Sequence, residues 1–261
     1  MRERFGVSTV ELGGLSFLDI DEPGFVSRLV DEAKAGRGGW VVTPNADIMR
    51  QANDDPAIHA MLTTADALVV DGMPLVWASH LQGTPLRGGR VCGSDLIESI
   101  PEAAAAAGVS IYLLGGGGDT AEHTKLGLEL RHPGLRVVGT YSPPFGFEKD
   151  PQQFETMRRL LAEAAPDIVF VALSFPKGER LIQDIRTALP NAWWIGVGAA
   201  FDFFSGVIPR APELMRRTGT EWIFRMVQDP KRLVRRYLWH DLPYVGQLFA
   251  SSLRRGLASR R

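Results

Sequence analysis

The sequence predicts a three-layer α/β protein whose sheet is mostly parallel, with an N-terminal hairpin and a C-terminal basic helical appendage. Short runs of Val, Ile, Leu and Trp alternate with longer helix-forming stretches, which is typical of a parallel sheet covered on both faces. The charge is also uneven, because residues 210–261 hold 12 Lys/Arg against 4 Asp/Glu, or +8, whereas residues 1–209 hold 17 against 26, or −9. We therefore expect a Rossmann-like α/β core over residues 1–209 and a separate appendage over residues 210–261.

The predicted elements follow one another in a simple order. Apolar residues alternate around Gly13 and Gly14 in residues 7–17, and such a glycine pair readily takes positive φ, so a β-hairpin is predicted there. The helical segment that comes next ends at Gly36. Six apolar runs then predict the strands of the main sheet: residues 39–43, 67–71, 110–115, 135–140, 167–173 and 192–198. The stretches between these runs are rich in helix-forming residues.

The composition indicates a globular protein without disulfides. The chain has 261 residues, of which 45% are apolar and 23% charged, enough to bury a substantial core. Cys92 is the one cysteine, and the five histidines show no metal-ligand spacing, so neither an internal disulfide nor a metal site is expected. We see no signal-peptide pattern and no run near the roughly 20 apolar residues of a spanning helix. A cytoplasmic location is expected.

Asp71 follows a predicted buried strand in the run ALVVDGMPLVWA. In open parallel sheets, ligands bind beyond the carboxyl ends of the strands, where Thr43 and Asn45 also fall. Partial burial at such a position raises the pKa of a carboxylate toward neutrality, so Asp71 is a candidate general base. The motif alone leaves a second interpretation open, in which Asp71 only caps the next helix or forms its turn.

A glycine-rich run, LLGGGGDT, lies between a predicted strand and a predicted helix, as phosphate-binding loops do. It lacks the dinucleotide pattern G-x-G-x-x-G, because Thr120 occupies the sixth position, and it lacks a Gly-Lys-Ser/Thr ending. A phosphate loop and a simple tight turn both remain open. A nucleotide-dependent oxidoreductase on the same type of sheet is a rival, although it would need the complete glycine pattern.

The basic tail carries the largest compositional signal. The helix predicted after Pro243 has an apolar stripe of residues four apart, Val245, Phe249, Leu253 and Leu257, with Leu248 beside them. Such a stripe flanked by basic residues suits an anionic membrane surface, where each Lys/Arg contributes about 1 kcal/mol. The alternative is an ordinary helix docked on the core. Nucleic acid is not an expected partner, because the rest of the chain is acidic and would repel phosphate backbones.

Nine motifs occur in a fixed order along the chain. They are TPN (43–45), DGMPLVWA (71–78), RVCGSDL (90–96), LLGG (113–116), SPPFGF (142–147), FPKGE (175–179), GVGAAFDFFSG (196–206), RAP (210–212) and EWIFRMVQDPKRLVRRY (221–237). In order and spacing they resemble the WecG/TagA/CpsF family of bacterial glycosyltransferases, and the resemblance covers nearly the whole chain.

The resemblance implies a reaction. Members of this family move an N-acetylmannosamine-type sugar (ManNAc or ManNAcA) from UDP to polyprenyl-diphosphate-linked GlcNAc, in cell-surface polysaccharide or teichoic acid synthesis. Inversion at the anomeric carbon is implied, with the UDP-sugar as donor substrate and with no metal or other cofactor. The alternatives are a UDP-sugar transferase with a glucosyl or other hexosyl donor, and a non-catalytic adaptor at the membrane surface. A homo-oligomer is left open. The expected place of action is the inner face of the plasma membrane, with peripheral attachment.

The resemblance also implies site residues. It matches Asp71 to the proposed base that takes the proton of the acceptor hydroxyl. The substrate-binding candidates are Thr43, Asn45, Gly72, Arg90, Gly115, Gly116, Lys177, Glu179, Asp202, Arg225, Arg232 and Arg235, with Arg236 as a further tail cation. Arg90 can grip a phosphate or a sugar carboxylate through two parallel hydrogen bonds. Without a divalent ion, arginines and backbone amides must stabilise the departing diphosphate. Gly178 stands where the family usually has glutamine, so one amide that could bind substrate is missing.

Overall fold

The computed structural model describes residues 2–258, without the side chains of Arg2, Glu3, Arg217 and Arg232. The strands are β1 (Thr9–Leu12), β2 (Leu15–Leu18), β3 (Gly39–Val42), β4 (Ala67–Leu68), β5 (Ser110–Gly115), β6 (Arg136–Tyr141), β7 (Ile168–Ala172) and β8 (Trp193–Gly196). The helices are α1 (Arg2–Phe5), α2 (Glu22–Lys34), α3 (Ala46–Asp54), α4 (Pro56–Thr63), α5 (Met73–Gln82), α6 (Gly93–Ala107), α7 (Thr120–Arg131), α8 (Pro151–Ala164), α9 (Lys177–Ile185), α10 (Ala200–Phe204), α11 (Glu213–Arg217), α12 (Glu221–Gln228), α13 (Pro230–Val234) and α14 (Leu242–Ala258). A π-helical turn, Arg235–Asp241, joins α13 to α14.

The strand pairing confirms the predicted fold class. β1 and β2 form the antiparallel hairpin, in which Val10 pairs with Phe17 and both turn glycines have positive φ. The main sheet has six strands, and five of them pair in parallel in the order β3-β8-β7-β5-β6. Every residue of β5, β7 and β8 is buried. The continuous apolar runs in the sequence therefore correspond to strands of a parallel sheet whose two faces are covered.

The residues fall into two compact units. One unit comprises Met1–Asp21, Thr43–Cys92 and Pro209–Arg261, and the other comprises Glu22–Val42 and Gly93–Ile208. The predicted boundary at residue 209 thus coincides with the start of the last segment of the first unit. Within that unit, the basic segment packs with the two earlier segments, whereas the sequence suggested an appendage. The separate roles predicted for residues 1–209 and 210–261 stay predictions.

The second unit contains the five paired strands and the helices that cover them. α2 packs against α6, α10 packs against α6 and α7, and α9 packs against β7 and β8. Its core is aromatic, since Trp40, Trp193 and Trp194 are almost completely buried. At the start of β5, the Ser110 amide and hydroxyl both donate to Asp167 Oδ2 at 2.7 Å, which satisfies the polar groups where β5 and β7 begin.

The C-terminal helix α14 docks within the first unit through a face of which the predicted stripe included Leu248. α14 packs on α5, and its buried residues are four apart: Tyr244, Leu248, Ser252 and Gly256. The predicted stripe lies one position further along the helix, and its members Leu253 and Leu257 are 48% and 56% exposed. One face of α14 therefore docks on the core, and the neighbouring face carries exposed apolar residues. No described helix combines the length and apolarity that crossing a bilayer requires.

An ionic network holds the π-helical turn against α3. Arg50 donates to Asp47 at 2.7 Å and to Asp241 at 3.1 Å. Arg236 lies 2.9 Å from Asp47 and 3.6 Å from Asp241. Burial raises the pKa of Asp241, and the neighbouring charge of Asp47 raises it further, while the two arginines oppose the shift. The tail cation Arg236 thus pairs with Asp47 in α3 and with Asp241 in the π-helical turn.

The contact between α14 and α5 leads to a stability prediction. A Cβ at Gly256 would collide with the backbone carbonyl oxygen of Leu81, so Gly256→Ala must displace α14 and should lower the free energy of unfolding by about 1–3 kcal/mol. Gly246 lies in the same helix with open space around it, so Gly246→Ala should raise that free energy by up to about 1 kcal/mol. Urea unfolding of both variants measures this difference, and equal effects at the two positions would contradict the docked helix.

Candidate active site

Three segments of the first unit meet at Asp71. The N–H of Asp71 donates to the carbonyl oxygen of Pro44 at 3.0 Å, which joins the DGMP segment to the TPN segment. The N–H of Val91 donates to the carbonyl oxygen of Val70 at 2.8 Å, which brings in the RVCG segment. These bonds also explain why β4 ends at Leu68, earlier than predicted, because the chain beyond it pairs with loops. Three of the sequence motifs therefore converge on one carboxylate.

The surroundings of the Asp71 carboxyl group favour a base. Burial raises the pKa of Asp71, and it outweighs the opposing effects of the Arg90 charge, a hydrogen bond with Cys92 and the Arg225 charge. The charge of Glu221 acts with burial and also raises the pKa. A carboxylate whose pKa is raised in this way holds a proton more strongly, which is what a general base needs near neutral pH.

The structure makes Gly72, and not Asp71, the N-cap of the next helix, while a role of Asp71 in the turn before it stays a prediction. The N-cap of α5 is Gly72, and no side chain donates or accepts a capping hydrogen bond there. Gly72 has φ 118° and ψ 140°, a conformation that glycine adopts readily and residues with a side chain avoid. The turn is therefore made by the glycine, and the carboxyl group of Asp71 is left to interact with the surrounding side chains.

Two of the candidate arginines lie at this site and share one carboxylate. Glu221 Oε1 accepts from Arg225 Nη2 at 2.5 Å, and Glu221 Oε2 accepts from Arg90 Nη1 at 3.4 Å. Both guanidinium groups are close enough to Asp71 for their charges to lower its pKa. The sequence motifs that carry Arg90 and Arg225 are 135 positions apart, and the fold of the first unit brings them together. Guanidinium groups in such a place are suited to binding a phosphate.

Sequence reasoning did not single out Glu221 or Cys92 as site residues. A signal for Glu221 was present, because it lies four residues before Arg225 and such pairs meet on one face of a helix. Cys92 lies two residues after Arg90, a spacing that places two side chains on the same side of an extended segment. Neither spacing is specific enough to be noticed without the structure.

The TPN candidates have structural roles as well. Thr43 is buried, and Asn45 is the N-cap of α3, where its Oδ1 accepts from the N–H of Ile48 at 3.1 Å. That bond satisfies one of the N–H groups that a helix leaves unpaired at its start. Both residues adjoin Pro44 and hence the backbone of Asp71. Their contact with substrate stays a prediction.

For the remaining tail candidates, Arg235 and Arg232, contact with substrate stays a prediction. Arg235 is exposed and lines an open surface cavity of about 510 Å³ together with Lys231, Trp239 and His240. The side chain of Arg232 is not among those that the structure describes. Of the predicted tail arginines with a described side chain, Arg225 is the one that the structure places beside Asp71.

The candidates of the second unit lie after the carboxyl ends of its strands. Gly115 ends β5 with φ 101°, and a Cβ there would lie 2.6 Å from the carbonyl oxygen of Ala172. The N–H of Gly116 donates to that oxygen at 2.8 Å, and Ser142 Oγ donates to the carbonyl oxygen of Gly115 at 2.9 Å. These groups close the turn within the fold, so the tight-turn interpretation of the glycine run has direct support. Phosphate binding by Gly115 and Gly116 stays a prediction.

Lys177 begins α9 beside an aromatic loop. Its Nζ donates to Glu148 Oε1 at 3.0 Å and lies 5.7 Å and 5.6 Å from the ring centres of Phe145 and Phe147. Phe145 is fully exposed, which is unusual for a large apolar side chain. Asp202, in α10, is half-buried, and burial raises its pKa. The structure gives each of these two candidates a defined surrounding, while their roles in substrate binding stay predictions.

Glu179 is the most deeply buried of the charged candidates. It is 5% exposed, and within the described residues its Oε2 has no hydrogen-bond partner. Burial raises the pKa of Glu179 to about 7. The preceding Gly178, where the family usually has glutamine, is also buried, and a Cβ there would lie 3.1 Å from the carbonyl oxygen of Leu173.

This burial makes stability depend on pH. The folded-state pKa of Glu179, about 7, lies above the ordinary value of 4.5, so stability that is present at low pH is lost as the pH rises through the folded value. Glu179→Gln has the same shape and cannot ionise. Between pH 5 and pH 8 the variant should therefore gain about 2–3 kcal/mol of unfolding free energy relative to the wild type. Urea unfolding at the two pH values measures the gain, and parallel behaviour of the two proteins would contradict it.

The first-unit site has the parts for one kind of chemistry. A half-buried carboxylate with a raised pKa can accept a proton, and two guanidinium groups can bind an anion next to it. In the part of the chain that the structure describes, there is no group of three or more His, Cys, Asp or Glu side chains placed to hold a metal ion. Independence from metal stays a prediction.

Comparison with known proteins agrees with the motif order. The sequence model described as the glycosyl transferase WecG/TagA/CpsF family matches residues 10–258. One similar protein is the N-acetylglucosaminyldiphosphoundecaprenol N-acetyl-beta-D-mannosaminyltransferase of Bacillus spizizenii strain W23. It is 32% identical over 227 residues, which cover 87% of this chain and 86% of the relative.

Proposed function

Because the chain belongs to the WecG/TagA/CpsF family of glycosyltransferases, we propose that it moves an N-acetylmannosamine-type sugar from UDP to polyprenyl-diphosphate-linked GlcNAc. Family membership makes the chain a transferase, and this excludes the oxidoreductase and the non-catalytic adaptor. The relative's name supports the finer proposal, since it specifies an N-acetylmannosaminyl group and an N-acetylglucosaminyl diphosphoundecaprenol acceptor.

The observation that carries the mechanism is the carboxylate of Asp71 with the Arg90 and Arg225 guanidinium groups beside it. Asp71 takes the proton of the acceptor hydroxyl while the hydroxyl oxygen attacks the anomeric carbon. The bond from that carbon to the UDP oxygen breaks, and its electron pair leaves with the diphosphate. Arg90 and Arg225 then stabilise the charge that develops on the leaving group.

A single displacement inverts the anomeric carbon. Starting from an α-linked UDP-sugar, the β-glycoside that the relative's name specifies requires such an inversion. In the proposed mechanism one carboxylate is sufficient, because no covalent sugar–enzyme intermediate has to form. The two guanidinium groups take the place of a divalent ion, so a chelator should leave turnover unchanged.

The lipid acceptor also requires access to a membrane surface. The tail offers exposed apolar side chains, Trp239 at 75% and Leu257 at 56% exposure, together with the exposed cations Lys231 and Arg235. These features support reversible attachment to an anionic membrane surface. We accordingly propose that the enzyme acts at the inner face of the plasma membrane.

The decisive test is product formation. The purified protein is incubated with a panel of UDP-sugars, including ManNAc, ManNAcA, glucosyl and other hexosyl donors, and with a short-chain prenyl-diphosphate-linked GlcNAc. Mass spectrometry should detect a disaccharide lipid with an N-acetylmannosamine-type donor. Product from a glucosyl or other hexosyl donor alone would overturn the donor assignment, and UDP stabilisation in a thermal shift without any product would overturn the pairing of donor and acceptor.

A further inference from the structure

Glu221, the first residue of α12, is a buried acid between two cations. It is 9% exposed, and its two carboxylate oxygens bind different partners, Arg225 on its own helix and Arg90 in the RVCG segment. A carboxylate in this position neutralises two guanidinium groups that the proposed mechanism assigns to the diphosphate. It also holds both groups near one another, because each guanidinium donates to it through one terminal nitrogen.

The charges around Asp71 are balanced by this residue. With Asp71 ionised, the two carboxylates and the two guanidinium groups sum to zero, and without Glu221 the sum would be +1. The other titratable groups that face this cluster are Cys92, which hydrogen-bonds Asp71, and Tyr237, whose electrostatic partners include Arg225 and Glu221. Glu221 therefore influences both the basicity of Asp71 and the attraction for an incoming anion.

We propose that Glu221 is a positioning residue, which holds Arg90 and Arg225 at the Asp71 carboxylate and limits how strongly they attract a diphosphate. The proposal rests on the proposed function, since it assumes that a nucleoside diphosphate binds at these arginines. Its consequence is that the wild-type enzyme binds UDP more weakly than its arginines would allow. Weaker binding favours release of the product, and the negative charge of Glu221 makes Asp71 a stronger base.

Glu221→Gln tests this, because the amide keeps the shape and its oxygen can still accept from one of the two arginines while the charge is lost. UDP affinity, measured by calorimetry at constant ionic strength, should increase about threefold to tenfold. Loss of the Glu221 charge removes an influence that raises the pKa of Asp71, so the acid limb of the kcat/KM profile should move to lower pH. The matched control is Glu11→Gln, an exposed glutamate of the same unit, which should change neither quantity.

Two results would overturn the proposal. If Glu221→Gln folds, as judged by circular dichroism, and its UDP affinity and pH profile match the wild type, Glu221 has only a structural role. Glu221→Asp covers the case in which the first variant does not fold. It keeps the charge, but it is one methylene too short to reach both arginines, so KM should rise or kcat fall while the acid limb stays in place. A Glu221→Asp enzyme with wild-type kcat, KM and UDP affinity would show that the reach of the carboxylate is immaterial.

Two binding measurements on the wild type, with UDP and with inorganic pyrophosphate, separate this proposal from the proposed function. If the wild type binds UDP but forms no product with the lipid acceptor, the donor or acceptor assignment fails, and the calorimetric comparison still decides the role of Glu221. If the wild type binds neither UDP nor inorganic pyrophosphate, both the diphosphate site and the role of Glu221 are overturned.

Discussion

Asp71→Asn is expected to lower kcat by about 100-fold or more while UDP binds at least as tightly as to the wild type, because general base catalysis contributes about 10²–10⁴-fold. The amide keeps the size of the side chain and cannot accept the proton of the acceptor hydroxyl. Removing the negative charge beside Arg90 and Arg225 cannot weaken an anion's binding. Steady-state kinetics with a short-chain lipid acceptor and calorimetry with UDP measure the two effects.

Asp66→Asn is the matched control for this substitution. Asp66 is half-buried in the same unit and pairs with Arg4 at 3.4 Å, and such pairs contribute at most about 1 kcal/mol, so the rate should change less than about fivefold. The wild-type rate should also fall with decreasing pH as Asp71 becomes protonated, at a pH above the usual range for aspartate because burial raises its pKa. An Asp71→Asn enzyme with near wild-type turnover would leave the site without a base.

Arg225→Ala is expected to lower kcat/KM by about 100-fold to 1000-fold on a short-chain acceptor, the scale of losing one charge-stabilising group. Arg225 is held beside Asp71 by Glu221, so its removal takes away half of the cation pair. Arg225→Lys keeps the charge without the planar fork and should recover part of the activity. Single-turnover kinetics at saturating UDP-sugar separate this loss from weaker binding.

Arg235→Ala is the control from the same basic segment. Arg235 is exposed at the surface cavity near Trp239, so its removal should leave turnover of a short-chain acceptor within about twofold, which is typical of surface changes. The same variant should bind less to vesicles that contain anionic lipid, since each cation near the surface contributes about 1 kcal/mol. Equal losses of turnover in Arg225→Ala and Arg235→Ala would show that position beside Asp71 does not matter.

Truncation of the tail is a less informative experiment than these substitutions. The segment Pro209–Arg261 belongs to the same compact unit as Met1–Asp21 and Thr43–Cys92. α14 covers α5 there, and the turn before it is held to α3 by Arg50 and Arg236. Removing the segment would expose an apolar surface, so lost activity would not distinguish a missing arginine from a damaged fold.

The sequence was sufficient to predict the fold class. A β-strand buried on both faces is apolar at nearly every position, and the runs that became β5, β7 and β8 have this property, with Ser110 at the start of β5 as a hydrogen-bonded exception. The Gly13-Gly14 pair predicted the hairpin for an equally local reason, the need for positive φ at both turn positions. β4 was predicted too long, because the bonds that end it come from loops far away in sequence.

The packed face of α14 was not predictable in the same way. A helix can dock through small residues as well as through large apolar ones, and close approach to the backbone of α5 selected Ser252 and Gly256. Hydrophobic periodicity instead identified the neighbouring stripe, whose members Leu253 and Leu257 are exposed.

For the candidate site, too, local sequence patterns predicted single residues, whereas contacts between distant segments were not predictable. Asp71 was suggested by its position after a strand, and Arg90 and Arg225 by the family resemblance, yet their meeting depends on long-range folding of the first unit. Glu221 was missed because a glutamate four residues before an arginine on a helix is a common surface pattern. Its burial and its second partner, Arg90, are visible only in three dimensions.

The stereochemistry of the product tests the proposed displacement most directly. The wild-type enzyme, the preferred UDP-sugar and a short-chain lipid acceptor are incubated with a chelator, and the anomeric configuration of the disaccharide is read from its NMR coupling constants. An inverted linkage, formed at the same rate with and without the chelator, is the expected result. A retained configuration, or turnover that disappears until a divalent ion is restored, would contradict a single displacement driven by Asp71 and two arginines.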